Sequence, residues 1–230
     1  MFFDPAYLLF ALPGLLLSIW ASHRVRTAFD TYSQVPAVRG YSGAQAAQKL
    51  LDDAGLHNVG IVEADGYLSD HYDPSSRQLA LSSGVFHGRS IAAIGVACHE
   101  AGHALQHATG YAPLGLRSIL VPTASIGSSV GYVVMAVGLF LSPWVVLVGA
   151  AIFSTVLLFQ VVTLPVEFDA SSRAKRLIVE AGIIDPGERE GVDRVLNAAA
   201  LTYVAAVVST LMVLLYYLFR AGLLNGSRDE

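Results

Sequence analysis

Four long apolar stretches constrain this chain more than any other feature. Crossing a bilayer as a helix takes roughly 20 apolar residues, and candidates run over 6–21 (AYLLFALPGLLLSIWA), 120–141, 144–164 and 195–219. The first is short and carries Pro13 and Gly14. Ser142 and Pro143 join the second to the third, which predicts a tight helical hairpin. The fourth contains Asn197, Thr202, Tyr203, Ser209 and Thr210, so one of its faces is expected to pack on protein. Composition agrees: 54% of the 230 residues are hydrophobic and 14% charged, against about a quarter charged in soluble domains.

Charge placement predicts sidedness. Arg24, Arg26, Arg39, Lys49, Arg77, Arg89 and Arg117 lie between the first and second stretches; Arg173, Lys175, Arg176, Arg189 and Arg194 lie between the third and fourth. These are twelve of the 14 basic residues, with Arg220 and Arg228 in the C-terminal tail. Excess Lys and Arg marks the cytoplasmic loops, so both loops are expected in the cytoplasm, on one side of a multi-pass membrane protein. The opening MFFDPAY has no basic residue, unlike the start of a cleaved signal peptide, and an uncleaved anchor with its N-terminus outside is expected. The net charge of −4 and the lack of basic runs argue against nucleic acid as a partner, and a single cysteine, Cys98, excludes an internal disulfide.

The first loop, 22–119, reads as globular. Ser42 is placed to cap a helix over SGAQAAQKLLDDAGL that stops at Gly55. NVGIVEADGYLSDHYD and RQLALSSGVF, around Pro74-Ser75-Ser76, predict a β-hairpin. Ser90 then opens a helix, SIAAIGVACHEAGHALQHATG, expected to end near Gly110.

Within that helix lies HEAGH. His99 and His103 stand about 40° apart around a helix axis and about 6 Å along it, close enough for two imidazoles to converge on one ion. Glu100 points to an adjacent side, where it can reach a water held by the metal; this is the HExxH arrangement of zinc hydrolases. His107 falls about 12 Å from His99 along the axis and about 80° round, too far for the same tetrahedron, which leaves it to a neighbouring shell, the substrate cleft or simply the helix end. The alternative of a later third histidine is closed, because Gln106 and Thr109 occupy the positions it would need. Cys98 points about 100° from His99 and is expected to be a small buried residue.

A catalytic zinc needs three protein ligands and an open position. The second loop, 165–194, begins PVEFDASSRAKRL directly after an apolar stretch. A carboxylate so near lipid is expensive unless partnered, which selects Glu167 as third ligand. Asp169 is then a candidate acceptor for a histidine N–H. Glu180, Glu188 and Glu190 read as surface acids, and Pro165 is expected to break or start a helix.

VACHEAGHALQH, the preceding LSDHYDPSSRQLALSSGVFHGRSIAAIGVA, the following YAPLGLRS and LPVEFDASSRA together resemble the YugP-type membrane zinc metallopeptidases, over about 41–217. The layout is more distantly similar to HtpX-type membrane peptidases. The resemblance implies that His99, His103 and Glu167 hold one zinc ion and that Glu100 is the catalytic acid/base. The HtpX pattern has Asp four residues after the ligand Glu, where this chain has Ser171.

The expected architecture is a mainly α integral membrane protein, one unit over 1–230. It has about four transmembrane helices and a small α+β, zincin-like cytoplasmic metallopeptidase domain, with an HExxH helix and a short β-hairpin. The expected activity is zinc-dependent endopeptidase hydrolysis at the cytoplasmic face, on peptide or protein substrates, membrane proteins among them. Leu79, Ala80, Leu81 and Ser82, just before the HExxH helix, are expected to pair with an extended substrate by strand addition. Arg173, His71, Asn197 and Tyr203 are candidates for stabilising the oxyanion. Two other readings stay open: an intramembrane-cleaving zinc protease, and a non-catalytic scaffold in which zinc staples two loops.

Overall fold

A computed structural model describes residues 4–66 and 69–224. Arg228, the first three residues of the opening segment and Tyr67-Leu68 of the expected hairpin lie outside them. In chain order the elements are α1 (Pro5–Ser33), α2 (Gly43–Asp53), β1 (Gly60–Ala64), β2 (His71–Asp73), β3 (Gln78–Ser82), α3 (Ser83–Phe86), α4 (Ile91–Ala108) and α5 (Ala112–Ile126). A π-helical turn (Gly127–Gly131), α6 (Tyr132–Leu141), α7 (Pro143–Glu180) and, after a short 3-10 turn, α8 (Arg189–Arg220) complete the chain. Four helical stretches, Pro5–Ser33, Ala112–Leu141, Pro143–Glu180 and Pro186–Arg220, are long and apolar enough to cross a membrane. Each contains one of the four apolar stretches and overruns it. Pro165 does not interrupt α7, which continues to Glu180.

The chain divides into two compact units. The apolar one takes the described parts of Met1–Ala21, Leu116–Leu164 and Thr202–Glu230. Its tight hairpin turns at Ser142, whose backbone is extended between α6 and α7. Glycines set how closely these helices approach. A Cβ on Gly131 would stand 2.6 Å from the backbone N of Phe153, one on Gly138 2.7 Å from that of Val146, and one on Gly149 2.5 Å from that of Met135. Small residues let apolar helices make backbone contact, and Met135, Val146, Ala150 and Phe153 fill the core beside that seam. One polar position of the fourth stretch finds a partner here: Ser209 Oγ lies 3.2 Å from Ser18 Oγ.

The second unit comprises Ser22–Gly115 and Pro165–Leu201. Its helices begin and end where capping chemistry dictates. Ser42 Oγ accepts from Gln45 N, the Gln45 side chain accepts from Ser42 N, and Gly55 terminates α2 with φ +71°. Ser90 Oγ accepts from Ala93 N at the start of α4, and Gly110 follows its end with φ +63°. One core, including Leu50, Leu51, Leu79, Leu81, Ile94 and Ile178, joins α2, the sheet, α4 and the outer part of α7.

The sheet corrects the expected hairpin. β2 and β3 do pair antiparallel, His71 opposite Ala80 and Asp73 opposite Gln78. The turn between them is held by the Asp73 carboxylate, which accepts from Ser75 N and from the hydroxyls of Ser75 and Ser76. Those hydrogen bonds pull its pKa down to about 2. The first half of the expected β-run is a separate strand, β1, lying parallel to β3 from Gly60 opposite Gln78 to Ala64 opposite Ser82. The order is therefore β1-β3-β2.

Leu79, Ala80, Leu81 and Ser82, the expected substrate strand, lie inside the sheet. They form most of the central strand: all four pair with β1, and Leu79 and Ala80 pair with β2 as well. Beyond the end of β2, Asp70 takes over: its Oδ1 accepts from Ser82 N at 2.8 Å. Among the described residues, the outer strands of the sheet are β1 and β2.

Candidate metal centre

α4 and α7 bring the candidate residues together inside the second unit. Among the described residues, ligand atoms of His99, His103 and Glu167 all lie within 4.8 Å of one another. Glu167 Oε2 is 3.2 Å from His99 Nε2 and 3.5 Å from His103 Nε2. The two imidazole rings stand nearly perpendicular, at 82°, with centroids 4.8 Å apart. Glu167 is only 2% exposed, His103 7% and Glu100 7%, so these polar groups have little water to satisfy them and need each other or a cation.

Two observations test whether this donor set fits a metal ion. The first is spacing. Donors at about 2.0–2.1 Å from a tetrahedral zinc lie about 3.3–3.4 Å from one another, and the two distances from Glu167 to the histidines, 3.2 and 3.5 Å, bracket that range. The second is proton placement. Gln106 Nε2 donates to Val166 O at 2.7 Å and to Asp169 Oδ2 at 2.8 Å. This orients the amide so that Gln106 Oε1 accepts from His103 Nδ1 at 3.0 Å. With its proton on Nδ1, a neutral His103 aims the Nε2 lone pair at the Glu167 carboxylate, an arrangement that calls for positive charge between them. Burial works against a charged His103, but the hydrogen bond to Glu167 and the negative charge of Glu100 outweigh it and raise its pKa. The donor set therefore fits a small cation.

The flanking residues support the ligands from behind. His99 turns its Nδ1 to Ser171 Oγ at 3.1 Å. Asp169 meets neither imidazole directly. It accepts from Gln106 and, at 2.6 Å, from Arg173 Nε, and the Arg173 guanidinium sits 5.7 Å from the centre of the Tyr111 ring. Motif spacing does not mark Gln106, which stands where a longer HExxHxxG motif would have glycine. The signal was present, since it is the one amide in the apolar stretch after His103, and it is fully buried. Gly102 is the other unassigned contributor. A Cβ there would stand 2.7 Å from Ala170 O, so the absence of a side chain lets α4 lie against the α7 backbone beside the ligands.

The remaining candidates lie apart from this cluster. His107 is exposed, with Nδ1 2.8 Å from the Tyr72 hydroxyl. His71 Nδ1 faces Ser69 O at 2.8 Å, and Asn197 Oδ1 accepts from Lys175 Nζ at 2.6 Å. Tyr203 belongs to the other unit. Cys98 is fully buried, and burial pushes its thiol pKa up. Glu180 and Glu190 are surface acids paired with Arg176 and Arg194.

A cysteine-free donor set such as this, two histidines and a carboxylate, is the ligand chemistry of hydrolytic zinc sites. Comparison with known proteins gives the class: residues 7–222 match the family described as "Putative neutral zinc metallopeptidase", and the chain belongs to that family. It is 44% identical over 225 residues to the "Putative membrane protease YugP" of Bacillus subtilis (strain 168), covering 97% of this chain and 99% of that relative. No solved structure gives a significant match.

Gly102→Ala tests the close approach of α4 and α7. Overpacking a filled interior costs about 1–3 kcal/mol, and backbone, unlike a side-chain end, cannot swing aside. The variant is expected to unfold at a lower temperature than the parent in the same detergent. An unchanged midpoint would contradict the packing described here.

Proposed function

We propose that this chain is a membrane-embedded, zinc-dependent endopeptidase whose active site lies at the cytoplasmic face. The observation that carries the reading is the convergence of His99, His103 and Glu167, with Glu167 Oε2 3.2 and 3.5 Å from the two imidazoles and Glu100 one position along α4 from the first ligand. His99 Nε2, His103 Nε2 and Glu167 Oε2 would hold one zinc ion and leave a fourth position open. When bound, zinc supplies Lewis acidity, which lowers the pKa of water and polarises a carbonyl. Glu100 takes a proton from the attacking water and delivers it to the leaving amine. Ser171 and Gln106 hold the two imidazoles in register through Nδ1. Asp169 and Arg173 act on His103 through Gln106, by fixing its amide.

Excess basic residues in both polar loops support the cytoplasmic placement, and the family and the YugP relative support proteolysis in a membrane setting. Substrates are peptides or proteins, membrane proteins included. An extended substrate would pair with the free edge of β2 rather than with β3. A carboxylate beside the ligand set and the absence of thiolates both favour an enzyme over a zinc-stapled scaffold.

The direct test is metal content and absorption-edge spectroscopy on the purified full chain, with peptide hydrolysis measured before and after chelation. One zinc per chain, and activity lost to chelator and restored by zinc, is the expected result; a chain that hydrolyses peptides equally well after complete zinc removal would refute the reading. Two substitutions separate ligand support from bystander. Gln106→Leu should weaken zinc binding about 10–100-fold, the range for removing a hydrogen-bond partner of a metal-bound histidine. His107→Ala should leave zinc affinity unchanged. Competition with a chromophoric chelator measures both, and the reverse pattern would reassign His107 as a ligand.

A further inference from the structure

Within the second unit, a groove of about 540 Å³ lies between the outer part of α1 and the start of α8, away from the candidate metal centre. Arg24 and Thr27 line it from α1, Arg194 and Asn197 from α8, and the small side chains of Ala28 and Ala198 leave it room. The lining holds two guanidinium groups and no carboxylate. Lys175 adds a third cation at its margin, donating to Asn197 Oδ1 at 2.6 Å. Carboxylates stand outside the lining: Glu190 Oε1 accepts from both Nε and Nη2 of Arg194, a pair an incoming phosphate would share or displace, and Asp193 lies 3.8 Å from Lys175.

Its position along the helices indicates what reaches it. α1 is unbroken from Pro5 to Ser33, so Arg24 stands about 4.5 Å beyond Ala21, where the apolar stretch ends. A bilayer adds about 5–7 Å of headgroup region on each side of its hydrocarbon core, which puts Arg24 at headgroup depth. The two arginines are also close enough to act together. Tyr32 and Gly191 meet where a Cβ on Gly191 would be 2.8 Å from the Tyr32 ring. Counting back along α1 and forward along α8 from that contact sets Arg24 level with position 199, about 7.5 Å along the axis from Arg194. Two long side chains span that offset to reach one anion.

We propose that this groove binds the phosphate group of an anionic phospholipid at the membrane boundary. Arginine forks match phosphate oxygens in paired, charge-assisted hydrogen bonds, and basic pockets between helices at the headgroup level are suited to anionic lipid. The hydroxyl of Thr27 and the amide of Asn197 supply further donors for phosphate or glycerol oxygens. The inference concerns α1 and α8 alone and stands independently of the proteolytic reading.

The test is thermal unfolding of the purified full chain in neutral detergent, titrated with phosphatidylglycerol, phosphatidylcholine or inorganic phosphate. Phosphatidylglycerol is expected to raise the midpoint by several degrees and phosphatidylcholine to leave it unchanged. In Arg24→Gln/Arg194→Gln, half-saturation should move about tenfold or more, as loss of charged hydrogen bonds implies. Arg26→Gln/Arg176→Gln, which removes the same charge outside the groove, should behave as the parent. If the first pair fails to fold, Arg24→Lys/Arg194→Lys keeps the charge but not the fork, and native mass spectrometry should then count fewer bound phosphatidylglycerol molecules than in the parent. A phosphate-induced shift that the groove variants abolish supports the same site with a soluble source of the anion. A shift that survives in the groove variants, that phosphatidylcholine reproduces, or that no anion produces overturns the proposal.

Discussion

Glu100→Gln should retain one zinc per chain yet hydrolyse peptides about 10²–10⁴-fold more slowly, the usual range for losing a positioned general acid/base. The substitution keeps the size of a side chain that is 7% exposed, so the packing of α4 has little reason to change. It removes the proton acceptor and a negative charge that His103 senses. Full proteolysis by Glu100→Gln would refute the assigned mechanism. Loss of zinc together with activity would show that the carboxylate serves the donor set instead. A scaffold bound to zinc would be indifferent to the change, so the same variant separates enzyme from staple.

Glu167→Ala should have the larger effect on metal. Removing a residue behind a ligand costs 10–100-fold in affinity, and removing one of three protein donors is expected to exceed about 100-fold. Glu167 is also the sole donor from α7, and its Oε2 faces both imidazoles. Without it the two histidines have no carboxylate opposite them. The variant should lose zinc on dialysis, while Glu180→Ala, on the same helix but exposed and paired with Arg176, should keep it. If Glu167→Ala held zinc as tightly as the parent, the donor set would have to be drawn elsewhere.

Some of this was legible in the residues. The spacing of His99 and His103 predicts two donors on one helix face, and the expense of a carboxylate beside an apolar stretch picks out Glu167; the structure brings all three together. Helix boundaries at Ser42, Gly55, Ser90 and Gly110 were equally readable, because capping is local chemistry. Contacts set by another element were not. Gln106 matters through Val166 and Asp169, some sixty positions away, and Gly102 through the backbone at Ala170. β1 pairs parallel with β3 although β2 intervenes, and alternating residues around a turn suggest only the hairpin. Which strand is central is likewise a property of the whole sheet.

The sealed thiol of Cys98 has a practical consequence. Fully buried and held in its protonated form, it should stay silent toward water-soluble maleimides in the folded chain. A single cysteine introduced on an exposed residue, at Val38 or Arg176 for example, would then be the one labelled position without any prior removal of the native residue. Comparing labelling in inverted and right-side-out vesicles would read directly which compartment each polar loop faces.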